Sequence, residues 1–141
     1  MATVGYSGKP LNVKIGVKPG NRIALINSPQ DFTVELEPLP EGVELVTVDQ
    51  GDIDIAILFC MRSDALPLGL DAAIPHIRTA GMIWVAWPKK SAKADTDLND
   101  GNVRDIGLET GWVDVKVCAV TEYWSGLKFV RRLKDRKPSS A

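Results

Sequence analysis

One stretch constrains this chain more than any other. Ile53-Asp54-Ile55-Ala56-Ile57-Leu58-Phe59 is apolar at every position but one. A strand with one wet face alternates apolar and polar residues, so a nearly unbroken run marks a strand covered on both faces. Met82-Ile83-Trp84-Val85-Ala86-Trp87 has the same character and stops at Pro88. Two such strands need helices above and below them. That predicts an α/β three-layer sandwich around a mostly parallel sheet.

The other elements follow from breakers and periodicity. Pro10 opens a short helix over 11–15, which Gly16 closes, and Lys18–Asn21 form a turn. Strand 1 is Ile23–Ile26, a short helix follows over 30–37, and strand 2 is Val43–Val48. Strand 3 is Ile53–Phe59. A helix over Ser63–Thr79 has Ser63 or Asp64 as its N-cap, is strained by Pro67 and Pro75, and is stopped by Gly81. Strand 4 is Met82–Trp87, followed by a polar loop at 89–97 and a helix over 98–110. Strand 5 is Trp112–Val120, whose Val113, Val115 and Val117 alternate with Asp114 and Lys116. Strand 6, Gly126–Arg132, pairs back onto it. Residues 1–132 read as a single domain with an arm at 1–9, and 133–141 as a charged, Pro/Ser-rich, disordered tail.

The connection between strands 2 and 3 is short. A parallel crossover normally takes a dozen or more residues, and four or five residues reach at most roughly 17 Å. The reading therefore places strand 2 antiparallel at the sheet edge, giving strand order 2-1-3-4-6-5 with strands 2 and 6 antiparallel. Asp49 then lies at the opposite end of the sheet from the carboxyl rim.

A chain of 141 residues with net charge −1 carries no bulk field to recruit nucleic acid or an anionic membrane. No apolar run approaches the roughly 20 residues of a membrane span. The first residues show no basic start, and a cytoplasmic location is expected. Cys60 and Cys118 read as reduced, packed thiols. With one histidine and no CxxC pair, a Cys/His zinc site is excluded, and neither a metal nor a cofactor is expected.

In open α/β sheets ligands bind outside the carboxyl ends of the strands. That rim collects Asn27, Ser28, Cys60–Arg62, Trp87–Lys90, Tyr123 and Trp124. Arg62, Lys89 and Lys90 make it basic, Trp87 and Trp124 offer flat apolar surfaces, and a helix start at Ser63 and Asp64 aims N–H groups at it. The candidate ligand site is thus Asn27, Ser28, Arg62, Trp87, Lys89, Lys90 and Trp124, for a small anionic or planar ligand. The competing reading has the tryptophans plugging the sheet end and the lysines merely solvated.

The order of parts carries a resemblance. Val17–Ile26 looks like the entry to strand 1 of a class I methyltransferase. Asp54–Leu58 resembles that family's fourth strand, Thr79–Ala86 its fifth, and Gly107–Arg132 its closing helix and hairpin. The resemblance implies a Rossmann-like, methyltransferase-like fold and S-adenosylmethionine as cofactor. The family's glycine loop after strand 1 is here Asn27-Ser28-Pro29-Gln30, with no glycine and one N–H fewer. Binding in the usual pose should be weakened or lost. A second resemblance covers most of the chain. Gly5-Tyr6-Ser7-Gly8-Lys9-Pro10-Leu11, Val85-Ala86-Trp87-Pro88-Lys89-Lys90, Val113–Cys118 and Trp124–Leu127 are similar to a bacterial family defined only as a domain of unknown function, which implies no activity.

Other chemistry-bearing residues read as structural. His76 has no partner at a useful spacing, Cys60 has no placed base, and Asp95 with Asp97 reads as a solvated loop. Arg131, Arg132, Lys134, Arg136 and Lys137 read as a solvated end. The expected function is a non-catalytic binding or interaction module on a degenerate methyltransferase-like fold. The alternative is an enzyme acting on a small anionic or nucleotide-like ligand, an atypical methyltransferase among them. A protein partner or a homodimer is compatible with either.

Overall fold

The computed structural model describes residues 10–136. The expected arm at 1–9 and the tail from 137 lie outside the described residues. The order of elements is α1 (Leu11–Ile15), β1 (Arg22–Ile26), α2 (Phe32–Leu36), β2 (Glu44–Val46), β3 (Ile53–Phe59), α3 (Leu66–Ala73), β4 (Ile77–Pro88), α4 (Asp100–Leu108), β5 (Val113–Ala119) and β6 (Trp124–Val130), with short 3-10 turns between them. The six strands form one sheet ordered β2-β1-β3-β4-β6-β5, as the sequence predicts. No helix among the described residues is long and apolar enough to cross a membrane.

The period-two rule explains both cores. Ile55, Ile57 and Phe59 of β3 face α1 and α2, where they meet Ile15, Phe32, Leu36 and Trp84. Ala56 and Leu58 face the other way, toward Leu66 and Leu70 of α3 and Val103 of α4. Each fully buried large side chain contributes about 1.5–3 kcal/mol, so β3, buried on both faces, is the chain's densest source of stability. α1 is anchored by polar contacts as well: the buried Asn12 donates to Leu36 O at 2.8 Å, and Trp84 Nε1 donates to Ile15 O at 3.1 Å. Gly107 lets α4 lie flat on β6, because a Cβ there would overlap the Phe129 ring.

Strand 2 corrects the sequence reading. It runs parallel to β1, with Arg22, Ile23 and Ala24 opposite Glu44, Leu45 and Val46. A connection of four or five residues presupposes a full strand over Val43–Val48, but β2 has only three residues. It ends beside Ala24, while β3 pairs Ile55 with Ile23. The chain therefore returns only about three residues, roughly 10 Å, which a short 3-10 turn spans. Arg22 Nε and Nη2 hold that turn by donating to Gly51 O at 3.3 and 3.2 Å. The turn, Val48–Gln50, packs beside the turn Ile74–His76 that leads into β4. Asp49 is therefore at the amino end of the sheet, as expected but for a different reason. β6 is antiparallel to β4 and to β5, as expected.

Three boundaries also move. The helix expected over Ser63–Thr79 is only Leu66–Ala73, with Ala65 at its N-cap and no side-chain cap. Pro67 fits its first turn, and Pro75 forces the 3-10 turn that ends it. Gly81 does not stop a helix but sits within β4. There Ile53 pairs with Ile77 and Ile55 with Met82, so the residues between bulge out, and a Cβ on Gly81 would collide with Ile77 and the backbone at Asp54. Leu133–Arg136 forms a 3-10 turn rather than a disordered segment. Arg131 organises it: its guanidinium lies 4.6 Å over the Trp112 ring and donates to Ile77 O, while its carbonyl accepts from Arg136 Nε at 2.7 Å.

Candidate functional site

The carboxyl rim of the sheet has two crevices, and its seven candidate residues are divided between them and the open surface. The first crevice lies between β1 and β3. From β1 the chain moves outward to β2 and then returns across to β3, which makes this the topological switch point, where open α/β sheets place ligands. Here it is filled by aromatic rings. Phe32, at the start of α2, meets Phe59 edge-on with centroids 4.8 Å apart, and Phe59 meets Trp124 edge-on at 5.0 Å. Phe32 and Phe59 are 4% and 2% exposed, so they fill the crevice rather than line it.

The turn that leaves β1 reaches its shape without glycine. Asn27 takes φ 58° and Asp31 φ 68°, left-handed conformations that Asn and Asp tolerate better than other side chains do. α2 has only five residues and no side-chain cap. Asn27 and Ser28 are exposed at this turn.

The second crevice is an open cleft of about 510 Å³ at the end of β4. Trp87 forms its floor, Lys89 and Lys90 one wall, Asp97, Asn99 and Asp100 another, and Val117 and Ser125 the side toward β5 and β6. Of the candidate residues, Trp87, Lys89 and Lys90 line it, while Asn27, Ser28, Arg62 and Trp124 do not. The sheet itself separates the two tryptophans. Trp124 is opposite Pro88, one residue beyond Trp87, so the period of two puts them on opposite faces.

A strap, the segment 89–99, closes the cleft on the α3 side. Asp97 Oδ1 accepts from Ser63 N at 2.7 Å, and Asp97 Oδ2 accepts from Ser63 Oγ at 2.6 Å. Those two bonds hold the Asp97 carboxyl below its ordinary range, so it is ionised near neutral pH. Thr96 Oγ1 donates to Met61 O at 2.6 Å, and Arg62 pairs with Asp95 at 3.5 Å. Asn99 and Asn102 cap α4 reciprocally. The N–H expected to attract an external anion at Ser63 is thus already bonded to the chain's own carboxylate. With Asp97 and Asp100 facing Lys89 and Lys90, the cleft has mixed charge, not the net positive charge expected of the rim.

Sequence reasoning missed Thr96, Asn99, Asp100, Val117 and Ser125. The Asn99-x-x-Asn102 spacing ahead of a helical segment is a capping signal that could have located the strap's end. Val117 and Ser125 come from the far strands and carry no local signal. The Cys60 thiol is buried and donates to Arg62 O at 3.3 Å. His76 is in the turn before β4, at the opposite end of the sheet. Among the described residues no group of three or more His, Cys, Asp or Glu is placed to hold a metal ion.

No family model matches this chain, and no curated protein matches it. Solved structures do. A SAM-dependent methyltransferase from Aquifex aeolicus superposes with a TM-score of 0.59 at 11% identity, covering 88% of this chain and 89% of that one. A methyltransferase from Pyrococcus furiosus gives a TM-score of 0.51 at 12% identity, over 84% and 79% of the two chains. LepI in complex with SAM gives 0.54 at 12% identity, and the matched region covers 86% of this chain but 39% of LepI. At such identities the likeness shows the fold: a methyltransferase-like Rossmann sheet.

Proposed function

We propose that this chain is a cytoplasmic, non-catalytic binding module on a degenerate methyltransferase-like fold, which recognises its ligand or partner at the β4 cleft. One observation carries the reading. The switch-point crevice is occupied by Phe32 and Phe59, with Trp124 of β6 set edge-on against Phe59, while the open space lies on the other face of the sheet. The residues present do not fit S-adenosylmethionine in the pose implied by the resemblance. The turn after β1 has no glycine and includes Pro29, and Asp49, at about the place where the resemblance implies an acidic residue that holds the ribose, is carried away from the rim by the segment after β2. The cleft's own groups favour a small ligand with both an acidic and a basic end. Lys89 and Lys90 face the former, Asp100 faces the latter, and Trp87 supplies an apolar floor. Likeness of four short strings to a bacterial domain-of-unknown-function family is consistent with a module whose role is not set by the methyltransferase reaction.

Calorimetric titration with S-adenosylmethionine and its demethylated product tests the reading. No saturable heat is expected at micromolar concentrations. Micromolar binding that moves the amide resonances of Asn27 and Ser28 would overturn it in favour of an atypical methyltransferase.

A further inference from the structure

The two edges of the sheet carry opposite charge. Residues 23–61 contain eight acidic side chains and no lysine or arginine. They build α2, β2 and the turns around them, on the β2 edge. Asp31, Glu35, Glu37, Glu41, Asp49 and Asp52 are all exposed there. Residues 113–136 contain six basic side chains against three acidic ones and build β5, β6 and the following turn, on the opposite edge. β2 and β5 are five strand spacings apart, roughly 24 Å.

The basic edge has a second peculiarity. Lys116 and Lys128 are directly opposed across β5 and β6, and Lys128 is level with Trp84, so both lysines share the α1/α2 face. Like charges in register destabilise a sheet. Neither lysine makes an ion pair among the described residues. α1 ends over β4, where Ile15 O accepts from Trp84, and the helix packed most extensively on β6 and β5 is α4, on the other face. Burial, then the like charges of Lys116 and Lys18, hold Lys128 below the ordinary lysine range. Apolar surface accompanies the charge on both edges: Val115 on β5, Val34 and Leu45 on the acidic side, each close to half exposed or more.

We propose that the Lys116–Lys128 face of one molecule docks onto the acidic α2–β2 edge of a second copy, giving head-to-tail self-association. Charge complementarity identifies the occupant. A second copy presents six exposed carboxylates, Asp31, Glu35, Glu37, Glu41, Asp49 and Asp52, that make no ion pair among the described residues, while Arg22 at the same edge is taken up by Glu44 and Gly51 O. A net charge of −1 leaves little overall repulsion between copies. The contact is made through side chains, not by extending the sheet. β5 is bulged between Asp114 and Lys116, and β2 is only three residues long, both of which block strand addition. Two different patches meet, so the contact repeats until it closes into a ring or continues as a fibre. It weakens with salt, because the Debye length is about 10 Å at 0.1 M and shorter above that.

Sedimentation velocity on the full chain tests this. At low salt the average mass should rise with concentration, and at high salt it should fall to that of one chain. Lys116→Glu/Lys128→Glu and Glu35→Lys/Glu41→Lys should each weaken association at least tenfold, with circular dichroism confirming that both variants fold. Mixed, they should associate again, since the intact acidic edge of one meets the intact lysine face of the other and the two reversed patches are themselves complementary. A chain that stays monomeric at low salt overturns the proposal. So does association that survives Lys116→Glu/Lys128→Glu, or a mixture that fails to pair. If a single-stranded oligonucleotide or an oligoglutamate peptide binds the lysine face while the chain alone remains monomeric, the occupant is not a second copy and the proposal falls.

Discussion

The two halves of this sheet solve the same problem differently. Around β1 and β3 both faces are roofed by helices, and the crevice at the carboxyl end is filled by rings. Around β6 and β5 only the α4 face is roofed, the crevice is an open cleft, and its walls are polar groups fixed by hydrogen bonds. The first half holds the fold's hydrophobic stability at the topological switch point itself. The second half spends apolar burial more sparingly and keeps charge on its surface. Shared topology therefore does not fix where open space is left along the rim.

Three substitutions break or sharpen that contrast. The largest effect should come from Phe59→Ala, which empties the filled crevice and removes two edge-on ring contacts. Urea denaturation should show a loss of about 3–5 kcal/mol. A loss under about 1 kcal/mol would mean that the rings are not what closes this half.

Ser63→Ala should have a smaller and more local effect in the other half. It removes the hydroxyl that donates to Asp97 and loosens the strap, and hydrogen exchange should rise at the amides of 95–98 while those of β3 stay protected. The pH dependence has a definite sign. The folded Asp97 carboxyl is held below 3.8, so its stabilising contribution is fully present above that value and is lost as pH falls through the lower, folded one. Ser63→Ala should reduce that acid-side loss. An unchanged acid transition would show that the strap is held by other contacts.

The smallest effect should come from Lys128→Met, and its sign is opposite: it should stabilise the monomer by about 0.5 kcal/mol at neutral pH by ending the like-charge pairing. Because Lys128 is held below the ordinary lysine value, the wild type is at its full disadvantage at pH below the folded value. It recovers as pH rises through that value toward 10.5, where the advantage of Lys128→Met should fade. If Lys128→Met destabilises the chain instead, the lysine pair is not a cost the monomer bears. The same substitution should weaken self-association, separating the two roles of that face.

Trp87→Ala is a poor probe of the cleft. Trp87 is only 4% exposed and belongs to the core under α3 and α4, so its removal would report on folding before it reported on binding. Lys90→Ala, at an exposed wall position, separates the two.

The sequence by itself determined the layers, the strand order and most element positions, because Ile53–Phe59 and Met82–Trp87 allow only a doubly covered sheet and their breakers are local. It also located Lys89 and Lys90 at the rim, since residues following a buried strand must emerge at its end. The direction of β2 was decided by tertiary structure: whether the six residues 47–52 can return depends on how little of β1 the strand pairs with, a register no local pattern encodes. The division of the rim was decided the same way. A one-residue difference in register sends Trp87 and Trp124 to opposite faces, and Ser63 meets Asp97 only because the chain folds back across 34 residues. Periodicity is a property of neighbours along the chain, whereas a site is made by neighbours in space.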